Sequence, residues 1–300
     1  MKKKLTKLRT KVHPLAKMEC KDTWWLESAG QHIEGFITHV EVETESIRCR
    51  RALYKAFRFV PSPDGQIKRR GEEYWHLANL LDSGSHSMAC PIYQRDYYLR
   101  MMQENDITCD PNHNRVAVAL TFNNLALKSH ELDSGRLKSD IKRKTKSVME
   151  WLGRNFCSVP VRGVWVMEEL TFLEPADTVY WVLKLNLLFP NDKKLIKALR
   201  KYMGRDGNST INEWVTNNPV RKVVHKNPYQ LLDAVFNPTW KRAACVIKPG
   251  VEFTLVKEEV SRIPDNKLHI VLLLQHELGE SLITFDFTPK VKPKDDLDKW

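Results

Sequence analysis

The chain has little that would staple, anchor or energise it. Its six cysteines, Cys20, Cys49, Cys90, Cys109, Cys157 and Cys245, are scattered through 300 residues with no C-x-x-C pair. That argues against a disulfide scaffold and predicts a reducing, cytoplasmic setting. Unbroken apolar runs such as Ile270 to Leu274 fall far short of the roughly 20 residues a bilayer span needs. No apolar stretch follows the basic start as a secretion signal would require, so membrane and export roles are disfavoured. Glycine is sparse, with 12 residues, and the chain contains no GxxxxGK[ST], GxGxxG or GxSxG motif. ATP-driven, dinucleotide-dependent and serine-hydrolase chemistries therefore lose support. No fixed-period repeat and no low-complexity tract appears.

What the chain has in excess is positive charge. Forty-eight Lys and Arg against 37 Asp and Glu leave a net charge of +11, with 42% hydrophobic and 28% charged residues. This is a globular composition with a preference for polyanions, nucleic acid first. Residues 1–20 read as a basic flexible arm, since the first seventeen hold seven Lys or Arg and no acid.

Residues 21–114 carry weak signals. Gly35 to Val40 and Leu53 to Val60 lean towards β structure, Pro61 to Gln66 reads as a turn, and Tyr74, Trp75, Leu77, Leu80 and Leu81 recur at helical spacing. A clearer unit spans 115–245. Val116 to Phe122 has the make-up of a buried strand. From Ser134, a possible cap, Leu137, Ile141, Val148, Trp151 and Leu152 define one helical face opposite Lys138, Lys142, Arg143 and Lys146. Residues 164–172 and 179–189 predict a β-hairpin, and together with 116–122 a central antiparallel sheet. Asp192 opens a basic helix ending near Gly204, and Asn227-Pro228 opens another that Pro238 stops. Residues 246–300 form a β-rich C-terminal extension in which Leu268 to Leu274 is compatible with either a strand or a buried helix. The fold class is α+β, a central antiparallel sheet with helices packed on it.

The order strand, basic helix, hairpin, basic helix, short helix resembles the core of HUH endonucleases that initiate rolling-circle replication of plasmids and phages. Val161 to Phe172 resembles the strand before the family's metal motif, Lys184-Leu-Asn-Leu-Leu-Phe the motif strand, and Asn227 to Lys241 the tyrosine helix with its basic sequel. The resemblance implies a divalent-metal site and a tyrosine nucleophile. Here Lys184 and Asn186 stand at the two histidine positions, and a protonated lysine has no lone pair for a metal. Ala234 and Asn237 stand where the family has tyrosine and its lysine partner. Tyr229, five residues before Ala234, is rotated about 500° along the helix, roughly 140° off the original face. Glu168 completes the degenerate metal-site positions, and adjacent Glu169 must point to the opposite side of the strand. For Glu168 an ion pair with Lys184 is the plain alternative to metal binding.

Two further readings come from spacing and composition. His86-x3-Cys90 and Cys109-x3-His113, eighteen residues apart, suit a structural Zn2+ site, although the four residues also fit simple turns. Trp240, followed by Lys241-Arg242, suits stacking on single-stranded bases, whereas most tryptophans are core. His269 and His276-Glu277 form no HExxH and are expected at the surface or a strand edge.

Together these features predict a nucleic-acid-binding protein, DNA before RNA, resembling a replication initiator that has lost its nicking chemistry. The contacts would come from Arg143, Lys144, Lys197, Arg200, Lys201, Trp240, Lys241 and Arg242. Two alternatives stand beside it. One is an active nuclease with ligands elsewhere, such as Glu168, His130 or His225; the other is an RNA-binding or protein-interaction module in which +11 only solubilises.

Overall fold

The hairpin is the spine of the molecule. In the computed structural model, which describes residues 38–59, 65–83, 86–105, 114–155, 159–172, 179–205, 219–223, 227–248 and 254–289, strand β3 (Val161–Phe172) pairs antiparallel with β4 (Val179–Pro190) in unbroken register from Arg162 opposite Leu188 to Thr171 opposite Val179. The turn predicted between them lies outside the described residues. Strand β1 (Arg115–Thr121) pairs antiparallel with the other side of β4, so the three predicted strands form one sheet. Glycine is required at 163, where an added Cβ would lie 2.0 Å from the Asn186 carbonyl oxygen.

The sheet extends beyond these strands. The two-residue β2 (Leu127–Lys128) pairs with β4, β5 (Val220–Val223) forms the edge beyond β1, and β6 (Lys241–Lys248) runs parallel to β3. Beyond β6 lies β7 (Thr254–Arg262), while β8 (Thr284–Phe287) shares the edge of β3 with β6. The main order is β5-β1-β4-β3-β6-β7, a mixed sheet of eight strands with its helices packed around it. The sheet thus runs on through residue 245 into the C-terminal part.

Seven α-helices lie among the described residues. They are α1 (His39–Phe59), α2 (Gly65–Ser83), α3 (Pro91–Glu104), α4 (Ser134–Arg154), α5 (Lys193–Met203), α6 (Pro228–Phe236) and α7 (Asp265–Ile283). Helix α1 corrects the β reading of 53–59 and of His39 and Val40, while residues 35–37 of the run ending at Val40 lie outside the described residues. Thr38 and Glu41 form a reciprocal capping box: the Glu41 carboxylate accepts from the Thr38 amide at 2.8 Å, and the Thr38 hydroxyl accepts from the Glu41 amide at 3.4 Å. Val42, Cys49, Ala52 and Leu53 then bury one helical stripe. Of the turn expected at 61–66, residues 61–64 lie outside the described residues, while Gln66 is helical.

The other caps follow the sequence closely. Asp192 accepts from the amides of Lys194 and Leu195, and Asn227 from that of Tyr229. For α4 the cap is Asp133 rather than Ser134, its carboxylate accepting from the Arg136 amide at 2.9 Å. Helix α7 settles the ambiguous run at 268–274 as a buried helix, interrupted at Gly279, whose φ of +68° favours glycine.

Two apolar clusters hold these parts together. The larger joins the sheet to α3, α4, α5, α6 and one side of α7, with Trp165, Trp181, Phe122, Phe189, Phe236 and Phe285 fully buried. The smaller joins α1 and α2 to Ala89, Cys90 and Ile92 and to Leu268 and Leu272 of α7. Helix α7 is therefore shared by both.

Candidate functional site

Strand alternation and the unbroken register decide which side chains share a face. Trp165, Met167, Glu169 and Thr171 lie on one face with Trp181 and Leu183. Helix α4 packs on that side: Thr145 accepts the Trp165 indole N–H at 3.0 Å, and Lys144 stands 5.3 Å above the Phe122 ring. Glu168, Lys184 and Asn186 lie on the opposite face, with Thr121 and Ala119 of β1 directly opposite Lys184 and Asn186. The three degenerate metal-site positions are thus brought together.

At their centre the Lys184 ammonium is ion-paired with the Glu168 carboxylate, and the two side chains are only 16% and 12% exposed. A divalent cation would have to replace an ammonium already neutralising this carboxylate. Among the described residues no group of three or more His, Cys, Asp or Glu side chains is placed to hold a metal. The pair predicted as the plain alternative is what the fold builds.

Glu169 belongs to a separate buried cluster. Its Oε1 receives the Lys267 ammonium of α7 and the Thr171 hydroxyl, and Thr171 in turn accepts from Arg242 Nε at 3.1 Å. On α6, Asp233 accepts from the Tyr98 phenol at 2.7 Å and from the Asn237 amide at 3.2 Å. Burial and the Asp233 carboxylate hold the Tyr98 phenol protonated far above its ordinary range. Ala234 and Tyr229 pack against the large core, and Asn237 caps α6 at its C-terminus.

The expected cationic face divides once the side chains are placed. On α5, Ile196, Leu199, Tyr202 and Met203 are buried, whereas Lys193, Lys194, Lys197, Arg200 and Lys201 are exposed and make no ion pair with any described residue. Helix α5 touches β5, whose Arg221 is also exposed. The cations of α4 are largely matched by acids: Arg136 with Glu131, Lys138 with Glu277, Arg143 with Asp140 and Arg154 with Glu150. Lys144 is a correction to its predicted surface role. It is 6% exposed, and burial together with nearby Arg143 lowers its pKa to about 8.

The Trp240 segment is corrected too. Trp240 is 5% exposed and packs beside Trp181 at 6.4 Å, so its ring offers no open platform for a base on the outer surface. Lys241 is exposed, but it aligns with Glu168 while half-buried Arg242 aligns with Glu169, so the two point to opposite faces. Four strand spacings, about 19 Å, separate β6 from β5. Helices α4 and α5, by contrast, touch through Ser147 and Trp151 against Tyr202.

Of the zinc tetrad, Cys109 and His113 lie outside the described residues. His86 is exposed against the Tyr93 ring, while Cys90 is fully buried at the start of α3, where desolvation raises its thiol pKa. His130 is exposed on a short 3-10 turn, and His225 lies outside the described residues. His269 and His276 are not at a strand edge. Both are half-buried on α7, one edge-on to Tyr74 and the other hydrogen-bonded through Nδ1 to the Ser87 hydroxyl at 2.9 Å, and burial depresses the pKa of each.

Sequence reasoning missed a cavity of about 350 Å3 between α1, α3, α7, the 237–241 link and the end of β7. Its lining comes from five separate segments, so no local motif announces it. No helix among the described residues is long and apolar enough to cross a membrane. Compared with known protein families, with curated proteins and with solved structures, the chain matches none.

Proposed function

We propose that this chain is a DNA-binding protein that grips the phosphate backbone through α5, on a scaffold resembling a rolling-circle initiator core without its strand-nicking chemistry. The observation that carries the reading is the row Lys193, Lys194, Lys197, Arg200 and Lys201, exposed on a short helix with no acid among the described residues paired to it. Such a row neutralises phosphates and releases condensed counterions, a sequence-independent source of affinity. Absence of nicking is supported by Lys184 on Glu168, which fills with an ammonium the place where the resemblance calls for a metal.

The test is binding of a labelled single-stranded and a labelled duplex oligonucleotide across a salt series, with wild type and a Lys197→Glu/Arg200→Glu/Lys201→Glu variant. For every phosphate the variant no longer neutralises, the slope of log affinity against log salt should fall by about 0.7 to 0.9. Unchanged affinity in a folded variant would return the charge to a solubility role. Incubation with Mg2+ or Mn2+ should leave both oligonucleotides uncut. Cleavage abolished by Tyr229→Phe would overturn the reading of α6.

A further inference from the structure

The cavity beside Trp240 has the make-up of a small-molecule site. Its floor is buried and largely apolar, built from Trp240, Tyr98, Leu268, Val271 and Leu272, all at or below 8% exposure. One buried polar group breaks that floor. Gln275, 6% exposed on α7, lines the cavity and makes no hydrogen bond to any described residue. Its amide nitrogen and oxygen keep some exposure, so a donor and an acceptor are available to whatever enters.

The rim adds the charge preference. Four cations, Arg48, Arg95, Lys241 and Arg262, line the cavity against two carboxylates. Glu41 is engaged by the Thr38 amide and hydroxyl, and Glu45 by Arg48 and Arg262, which it neutralises in turn, Arg48 meeting Asp265 as well. Lys241 is exposed and makes no ion pair with a described residue. An aromatic floor, an amide offering one donor and one acceptor, and the exposed Lys241 at the rim fit a nucleoside phosphate. The base would lie against Trp240 and Tyr98, its edge would meet Gln275 as an amide meets adenine, and the phosphate would reach Lys241. The volume is at the small end of ligand pockets, as one nucleotide requires.

We infer that this cavity binds a single purine nucleotide, either free or as the unpaired terminal base of a strand. The site stands apart from the cationic row of α5 and does not depend on it.

Calorimetric titration of the full chain with adenosine 5′-monophosphate and with adenosine provides the test. The monophosphate is expected to bind, and Gln275→Leu to weaken it at least tenfold. Lys241→Ala should remove the advantage of the monophosphate over adenosine. The α5 triple reversal should leave nucleotide binding unchanged, so failure of DNA binding through α5 and failure of nucleotide binding in the cavity are distinguishable. Competition by an oligonucleotide with an unpaired 3′ adenine would identify the strand as the source; its absence alongside monophosphate binding would identify the free nucleotide. No heat and no saturation-transfer signal with the monophosphate overturns the inference, as does affinity unchanged in Gln275→Leu. Should Gln275→Leu fail to fold by circular dichroism, surface Lys241→Ala decides: equal affinity loss for adenosine and its monophosphate, or no change for either, overturns it.

Discussion

Lys184 and Glu168 show how one side chain redirects a site. Both are largely withdrawn from water, so each charge is stabilised by the other. Removing one partner of such a pair leaves an uncompensated buried charge, a loss of about 3–5 kcal/mol, whereas replacing both by apolar groups of similar size is often neutral. We predict that Lys184→Met lowers stability in urea titration by about that amount and that adding Glu168→Leu restores most of it. Lys144 carries a different prediction. Its folded pKa of about 8 is depressed below the usual 10.5, so between these values the unfolded chain holds the extra proton. Stability contributed at this residue therefore rises as pH increases from about 8 to about 10.5, and below that window the burial penalty is fully present. Lys144→Met should flatten the pH dependence of the urea midpoint over this window relative to wild type.

Helices α4 and α5 are both basic in composition and differ in what surrounds the charges. On α4 the arginines stand beside acids three or four residues earlier or on neighbouring segments, while the cations of α5 face outward without such partners among the described residues. Charge reversal at Arg143 and Arg154 of α4 is thus expected to change DNA affinity less than reversal at Lys197 and Lys201, measured at one low salt concentration. The hairpin carries a second element-scale prediction. Because a Cβ at residue 163 would meet the backbone of β4, which cannot swing aside as a flexible side chain can, Gly163→Ala should shift the β3–β4 register or lower the melting temperature. A melting temperature within a degree of wild type would show that the strands have room to part.

At the scale of the molecule, α7 makes the N-terminal helices part of the same structure as the sheet. Leu268 and Leu272 face one cluster while Val271, Leu274, Leu278 and Ile283 face the other. Lys267 adds an ion pair to Glu169 in the sheet, and Glu280 receives the Tyr93 phenol and the Arg100 guanidinium of α3. Leu272→Ala should cost about 2–5 kcal/mol, the usual range for a buried leucine truncation. It should shift a single transition followed by both far- and near-ultraviolet circular dichroism. Early loss of helix with the aromatic signal intact would show that α1 and α2 unfold by themselves.

The strands at 115–121, 161–172 and 179–190 and the helix starts at Asp192 and Asn227 were determined locally, because alternation, β-branching and capping depend only on near neighbours. At Thr38 and Glu41 a capping box starts α1 where the β-leaning residues had pointed to a strand. The association of Glu168 with Lys184 was readable as a possibility, since hairpin register makes it one of few choices for each charge. Burial of Trp240 and Lys144 was decided only by tertiary packing, because a basic neighbour in sequence says nothing of what lies across the space beside a side chain. The cavity around Gln275 was decided the same way: it exists only where five separated segments meet, at distances that sequence spacing does not encode.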